Sequence, residues 1–99
     1  MGTSMIVERD EHGTRMIFSG AFSAEWSATI KQYLSESMMR SGHETLVLTN
    51  VTSIDILGIK LAYTWRRALE LQDRTGKIVL PECAVIRDLL VRTGIAELL

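Results

Sequence analysis

The stretch Thr45-Leu46-Val47-Leu48-Thr49-Asn50-Val51-Thr52-Ser53-Ile54-Asp55-Ile56-Leu57-Gly58-Ile59 decides the fold. Its first five residues, Thr45–Thr49, form an apolar run between polar ends, without alternation, which is the pattern of a strand covered on both faces. Asn50 to Ile54 reads as a connector, and Asp55 as the cap of a following helix. From Ile56 the apolar residues recur at helical spacing. Leu57, Leu61, Trp65, Ala68, Leu69 and Gln72 fall on one side, while Lys60, Arg67, Glu70 and Arg74 fall elsewhere. Thr75-Gly76 closes this helix.

Upstream, Ser23 is a good N-cap and Glu25 suits the positive end of a helix dipole. Trp26, Ile30, Tyr33, Leu34 and Met38 then make one apolar stripe, which predicts a helix over Ala24–Arg40 ending before Gly42. Earlier still, Met5–Arg9 and Arg15–Phe18 are β-prone runs separated by Asp10-Glu11-His12-Gly13, the pattern of a hairpin. Downstream, Lys77–Leu80 reads as a second buried strand stopped by Pro81. Val85, Ile86, Leu89 and Leu90 predict a third amphipathic helix with Gly94 at its end, followed by an apolar tail of Ile95, Leu98 and Leu99. The order β-β-α-β-α-β-α predicts one α/β domain over residues 1–99, a mixed β-sheet with amphipathic helices packed on it. Crossovers between its parallel strands are expected to be right-handed.

Composition narrows the function. With 46% hydrophobic and 23% charged residues, the 99-residue chain is globular and long enough for one domain. A net charge of −1 lacks the basic surplus of a nucleic-acid binder. Cys83 is alone and cannot form an internal disulfide. No apolar run reaches the roughly 18 residues of a membrane span, and Met1-Gly2-Thr3-Ser4 does not resemble a signal peptide. The expected setting is the cytoplasm, with no membrane insertion.

Residues able to carry chemistry are sparse. His12 and His43 both fall in loops without the spacing of a metal site. Cys83 near the start of the third helix is read as a small buried residue rather than an activated thiol. Arg66-Arg67 reads as a solvated helix face. No glycine-rich phosphate loop and no nucleophile elbow occurs, so neither an enzyme nor a cofactor is expected, and nucleotide binding is disfavoured. The helix opening at Ile56 offers unpaired amides, as any helix start does, yet its first residues are apolar and a poor seat for an anion.

Three segments carry a family resemblance. Val51-Thr52-Ser53-Ile54-Asp55-Ile56-Leu57-Gly58-Ile59 resembles the Val-Thr-Phe-Ile-Asp-Ser-Ser-Gly-Leu pattern of the STAS domain, the family of sulfate transporter and anti-sigma factor antagonist domains. Ile17-Phe18-Ser19-Gly20-Ala21-Phe22-Ser23 is similar to its step into the first helix, and Leu89 to Leu99 to its terminal leucine-glycine stretch. The three occur in register over residues 5–99. The resemblance implies the STAS fold and a non-catalytic role resembling an anti-sigma factor antagonist, which binds an anti-sigma factor kinase and frees a sigma factor. In that family the second serine of the Asp-Ser-Ser-Gly motif is phosphorylated. Asp55 and Gly58 match the motif, but Leu57 stands at the phosphoacceptor position and Ile56 at the serine before it. Ser23 replaces an aspartate, and Val47 a polar strand residue. The resemblance therefore implies a divergent member with no phosphoacceptor at that position.

At 100° per residue, Ile56, Leu57, Ile59 and Tyr63 cannot all face one core. Leu57 groups with the Leu61 and Trp65 stripe, and Ile56, Ile59 and Tyr63 lie on a flank. That flank either packs under the Ser23 loop or is exposed. The exposed alternative makes Ser23, Ile56, Leu57, Ile59, Lys60, Tyr63 and Arg67 one partner-binding patch. The expected partner is a kinase-like anti-sigma factor. The alternative is the ATPase subunit of a lipid or solute ABC transport complex, with this chain as an accessory subunit.

Overall fold

The computed structural model describes residues 3–81 together with 88, 91 and 92. Its first two strands are β1 (Ser4–Asp10) and β2 (Gly13–Phe22). After a short 3-10 turn at Ala24–Trp26 come helix α1 (Ser27–Met39), strand β3 (Glu44–Ile54), helix α2 (Ile56–Glu70) and strand β4 (Gly76–Val79). The strands form one mixed sheet in the order β1-β2-β3-β4, with β1 antiparallel to β2 and the β2–β3 and β3–β4 pairs parallel. The expected hairpin at the edge is present, and β3 and β4 are parallel as expected. Among the described residues, however, β4 is itself an edge strand, so Ile78 and Val79 are half-buried rather than covered on both faces. The third predicted helix, with Val85, Ile86, Leu89 and Leu90, lies outside the described residues, as do Cys83 and the apolar tail; Asp88, Val91 and Arg92 are helical.

The hairpin follows from its turn residues. Glu11 and His12 keep negative φ while Gly13 takes φ +136°, and the Asp10 carboxylate accepts from the His12 amide at 2.7 Å. An Asx turn closed by glycine is what this sequence favours. A side chain at Gly13 would also meet the His43 carbonyl at 2.5 Å.

On the face that carries the helices, β2 contributes Met16, Phe18 and Phe22, and β3 contributes Leu46, Leu48 and Val51. Ile30 and Leu34 of α1 and Ala62, Trp65 and Leu69 of α2 pack onto them. Phe18 meets Phe22 and Tyr33 edge to face, at centroid distances of 5.2 and 5.9 Å. α1 and α2 touch each other, so both lie on one side of the sheet.

β3 departs from the sequence reading in two ways. It continues through Asn50–Ile54, which the polar residues Asn50, Thr52 and Ser53 suggested to be a connector. The β2–β3 register shifts between Ile17 and Ser19 and again between Gly20 and Ala21. Each shift moves the inward position by one residue, so the buried set passes from Leu46 and Leu48 to Val51 and the alternation is broken in the sequence. Gly20, at φ +91°, sits at the second shift. β3 is also not covered equally on both faces by the described helices, because Val47 and Thr45 remain half-buried between buried neighbours.

α2 ends earlier than Thr75-Gly76. Asp73 takes φ +57° and the Arg74 amide reaches back to the Leu69 carbonyl at 3.0 Å, the closure of a Schellman turn with aspartate in the glycine position. Gly76 serves packing instead: a side chain there would press on Leu69 at 2.9 Å. At this end of the domain a buried polar cluster joins α1, β3, α2 and the loop that follows α2. The Trp65 indole donates to Ser37 Oγ at 2.9 Å, and Ser37 Oγ donates to Glu44 Oε1 at 2.7 Å. Arg40 adds two charge-assisted bonds to the same oxygen, and Arg74 lies 3.7 Å from Oε2. Arg74 also donates to the carbonyls of Ser37, Met38 and Gly42, closing the C-terminal end of α1.

Candidate protein-interaction site

The other end of the sheet presents the start of α2. Asp55 caps the helix with extended backbone geometry, and its Oδ1 accepts from the Gly58 amide at 2.8 Å. Its second oxygen, Oδ2, accepts from the Ala24 amide at 2.8 Å. One carboxylate thus holds the first turns of both helical segments. It also answers for Ser23, whose side chain makes no capping bond: the capping function expected of Ser23 belongs to Asp55. Ser23 itself is extended and half-buried, and its carbonyl accepts from Trp26 at 3.0 Å.

Gly58 fixes how α2 is rotated. A Cβ on Gly58 would sit 2.1 Å from the Phe22 carbonyl oxygen, so the helix backbone lies directly on the end of β2. With Gly58 turned to the sheet, the core face comprises Gly58, Ile59, Ala62, Trp65 and Leu69. This differs from the predicted stripe. Leu57, one residue before Gly58, is turned about 100° away and is 38% exposed. Ile59 was expected on the flank and is 1% exposed, a core residue. It therefore contributes nothing to a surface patch.

The remaining residues of the predicted patch stay at the surface. Ile56 is 44% exposed, and Lys60 and Arg67 are exposed on the same side of α2. Tyr63 is half-buried between them. Ile56, Lys60, Tyr63 and Arg67 recur at spacings of four, three and four, a single stripe along the helix. Arg67 is paired with Glu70 at 3.1 Å. The Asp55–Ala24 bond sets the Ser23 turn against the first turn of α2, so Ser23, Ile56 and Leu57 belong to one end of the domain. An open and mostly apolar groove of about 260 Å³ runs between the helices, lined by Lys31, Leu34, Met38, Leu61 and Thr64. The sequence reading did not find it. Its trace is the spacing of Leu61 and Thr64, which follow Leu57 at intervals of four and seven.

Among the described residues no three His, Cys, Asp or Glu side chains converge as metal ligands, and no helix is long and apolar enough to cross a membrane. His43 accepts from the Thr75 amide at 3.3 Å, and His12 is exposed in the hairpin turn.

No protein-family model matches the sequence, and no curated protein does. Solved structures do match. An anti-sigma factor antagonist from Mycobacterium paratuberculosis has TM-score 0.83 at 18% identity, covering 97% of this chain and 81% of that one. The unphosphorylated anti-sigma factor antagonist SpoIIAA has TM-score 0.66 at 11% identity, covering 95% and 96%. A protein described as Mglu has TM-score 0.67 at 21% identity over 78% of this chain, which spans only 19% of its length. The fold is therefore that of the anti-sigma factor antagonists, and a similar fold also occurs within a much longer chain.

Proposed function

We propose that this domain is a non-catalytic, cytoplasmic protein-interaction module that acts as an anti-sigma factor antagonist does, binding a kinase-like anti-sigma factor without a serine switch. The observation that carries the reading is the exposed apolar pair Ile56 and Leu57 at the start of α2, in a fold shared with anti-sigma factor antagonists. A globular domain has no structural need for two large aliphatic residues in the exposed first turn of a capped helix. Lys60, one turn on from Ile56, and Arg67, further along the same side of α2, favour a partner surface with acidic residues. The contact set is Ser23, Ile56, Leu57, Lys60, Tyr63 and Arg67, with Asp55 and Gly58 holding the frame. Tyr63 is the aromatic anchor of the set.

A second reading is an accessory subunit of a lipid or solute ABC transport complex, where the same patch meets the ATPase subunit. The leucine at position 57 favours it to this extent: an acceptor hydroxyl is dispensable in a complex that is not switched by phosphate.

Affinity purification from the native cell, followed by titration calorimetry with the purified candidate, tests both. Capture of a kinase-like anti-sigma factor supports the first, and capture of a transport ATPase the second. With either partner, Ile56→Asp and Tyr63→Ala are expected to weaken binding by about 1–2 kcal/mol or more. Stable variants that bind as tightly as the parent would place the contact elsewhere on the domain.

A further inference from the structure

We infer that the domain self-associates through the free edge of β1, forming a two-fold dimer with a continuous eight-stranded sheet. Among the described residues β1 pairs only with β2, and its seven residues run in unbroken register from Ser4↔Ser19 to Asp10↔Gly13. Natural edge strands are blunted by proline, lysine, bulges or extreme shortness. β4, at the opposite edge, is four residues long. β1 carries no such device in Ser4-Met5-Ile6-Val7, and it leaves Ile6 61% and Val7 41% exposed.

The partner that fits this edge is a second copy, because β1 is self-complementary in one register. Facing residues of a two-fold antiparallel pair must point to the same side of the sheet. Centring the axis on Ile6 sets Ile6 against Ile6 of the other copy, Met5 against Val7, Ser4 against Glu8, and Thr3 against Arg9. Apolar residues then meet apolar ones, and no charge faces a like charge. Centring on Val7 instead sets Ile6 against Glu8 and Met5 against Arg9, and centring on Glu8 opposes two carboxylates. Asp10 closes the turn toward β2, so by strict alternation Met5, Val7 and Arg9 direct their amides and carbonyls to the open edge. The same register continues a feature of the sheet. Ile6↔Ile17, Ile17↔Val47 and Val47↔Val79 form one apolar row across the face away from α1 and α2. Joining at Ile6 doubles that row without interruption. The α2 surface is not used, so self-association and partner binding are independent.

The test is sedimentation equilibrium from about 1 to about 300 µM, the range expected of so narrow an interface. The parent is expected to pass from the 11.1 kDa of one chain to twice that mass. Ile6→Lys, at an exposed site, is expected to stay monomeric throughout with an unchanged melting temperature. In a Cys83→Ser background, Ile6→Cys is expected to form a disulfide-linked dimer on mild oxidation, and Glu8→Cys, which faces Ser4, is not. A parent that remains monomeric to the highest concentration overturns the inference. So does an Ile6→Lys variant that dimerises as the parent does, or a Glu8→Cys variant that cross-links as well as Ile6→Cys.

Discussion

Asp55 and Ala24, thirty-one residues apart in the chain, are joined by a 2.8 Å hydrogen bond from the Ala24 amide to Oδ2. The same carboxylate receives the Gly58 amide on Oδ1. Replacing it with alanine strips an acceptor from the first turns of two helical segments at once. A single N-cap is worth about 0.5–2 kcal/mol, so Asp55→Ala is expected to cost about 2–3 kcal/mol. Asp55→Asn retains only one carbonyl oxygen and is expected to cost about 1 kcal/mol. Urea unfolding checks both; an asparagine variant as stable as the parent would show that the Ala24 contact contributes nothing.

Gly58→Ala separates helix propensity from packing. Alanine is the better helix former by about 1 kcal/mol. Here its Cβ would fall 2.1 Å from a backbone oxygen of Phe22, so the helix must lift off the end of β2. The variant is expected to lose about 2 kcal/mol or more, and to lower the partner affinity by moving Ile56 and Leu57. A stabilised variant in the same unfolding assay would mean that α2 does not rest on β2 as described.

Trp65 and Glu44 anchor the opposite end. Trp65 is 1% exposed, and Trp65→Ala is expected to cost about 3–5 kcal/mol. Trp65→Phe keeps most of the packing and loses the bond to Ser37, for about 1 kcal/mol beyond the smaller ring. Glu44→Ala leaves the guanidinium groups of Arg40 and Arg74 facing an empty site and is expected to cost about 3–5 kcal/mol. Chemical denaturation of the three variants, with unchanged m-values, is the check; a Glu44→Ala variant within 1 kcal/mol of the parent, about the worth of one neutral hydrogen bond, would remove the cluster from the list of stabilising features.

The periodic parts of this chain were legible because local pattern and burial agree in them. Ile30 and Leu34, or Trp65 and Leu69, need only helical spacing to be placed, whereas Trp26 falls in the 3-10 turn that precedes α1, which starts at Ser27 rather than at the expected Ala24. The extension of β3 was not legible, because two register shifts change which residues point inward, and no local pattern survives such a change. The rotation of α2 was misread for a related reason. Hydrophobicity alone grouped Leu57 with Trp65, whereas the residue that sets the rotation is Gly58, which has no hydrophobic side chain to count. Ser37 and Glu44 were passed over because their burial depends on Arg40, Arg74 and Trp65 arriving from separate elements. Asp55 was recognised as a cap, but its second partner lies on a different helical segment and leaves no trace in local spacing.

Regulation is tested at position 57. Leu57 has no hydroxyl, and on incubation with a captured anti-sigma kinase and ATP the parent is expected to take up no phosphate by intact mass. Stoichiometric phosphate on Thr52 or Ser53, both exposed on β3, would show that the acceptor has moved. Leu57→Asp then probes the site itself. Position 57 lies in the first turn of α2, where a carboxylate gains about 0.3–1 kcal/mol from the helix dipole. That gain offsets part of the apolar burial lost from a side chain already 38% exposed, so the melting temperature is expected to stay within about 5 °C of the parent. Binding is a different matter, since a negative charge replaces an apolar contact beside Ile56 and opposes a partner surface selected by Lys60 and Arg67. The variant is expected to lose at least tenfold in affinity, about 1.4 kcal/mol. Unchanged binding of a stable Leu57→Asp variant would exclude the start of α2 from the interface, whatever the partner proves to be.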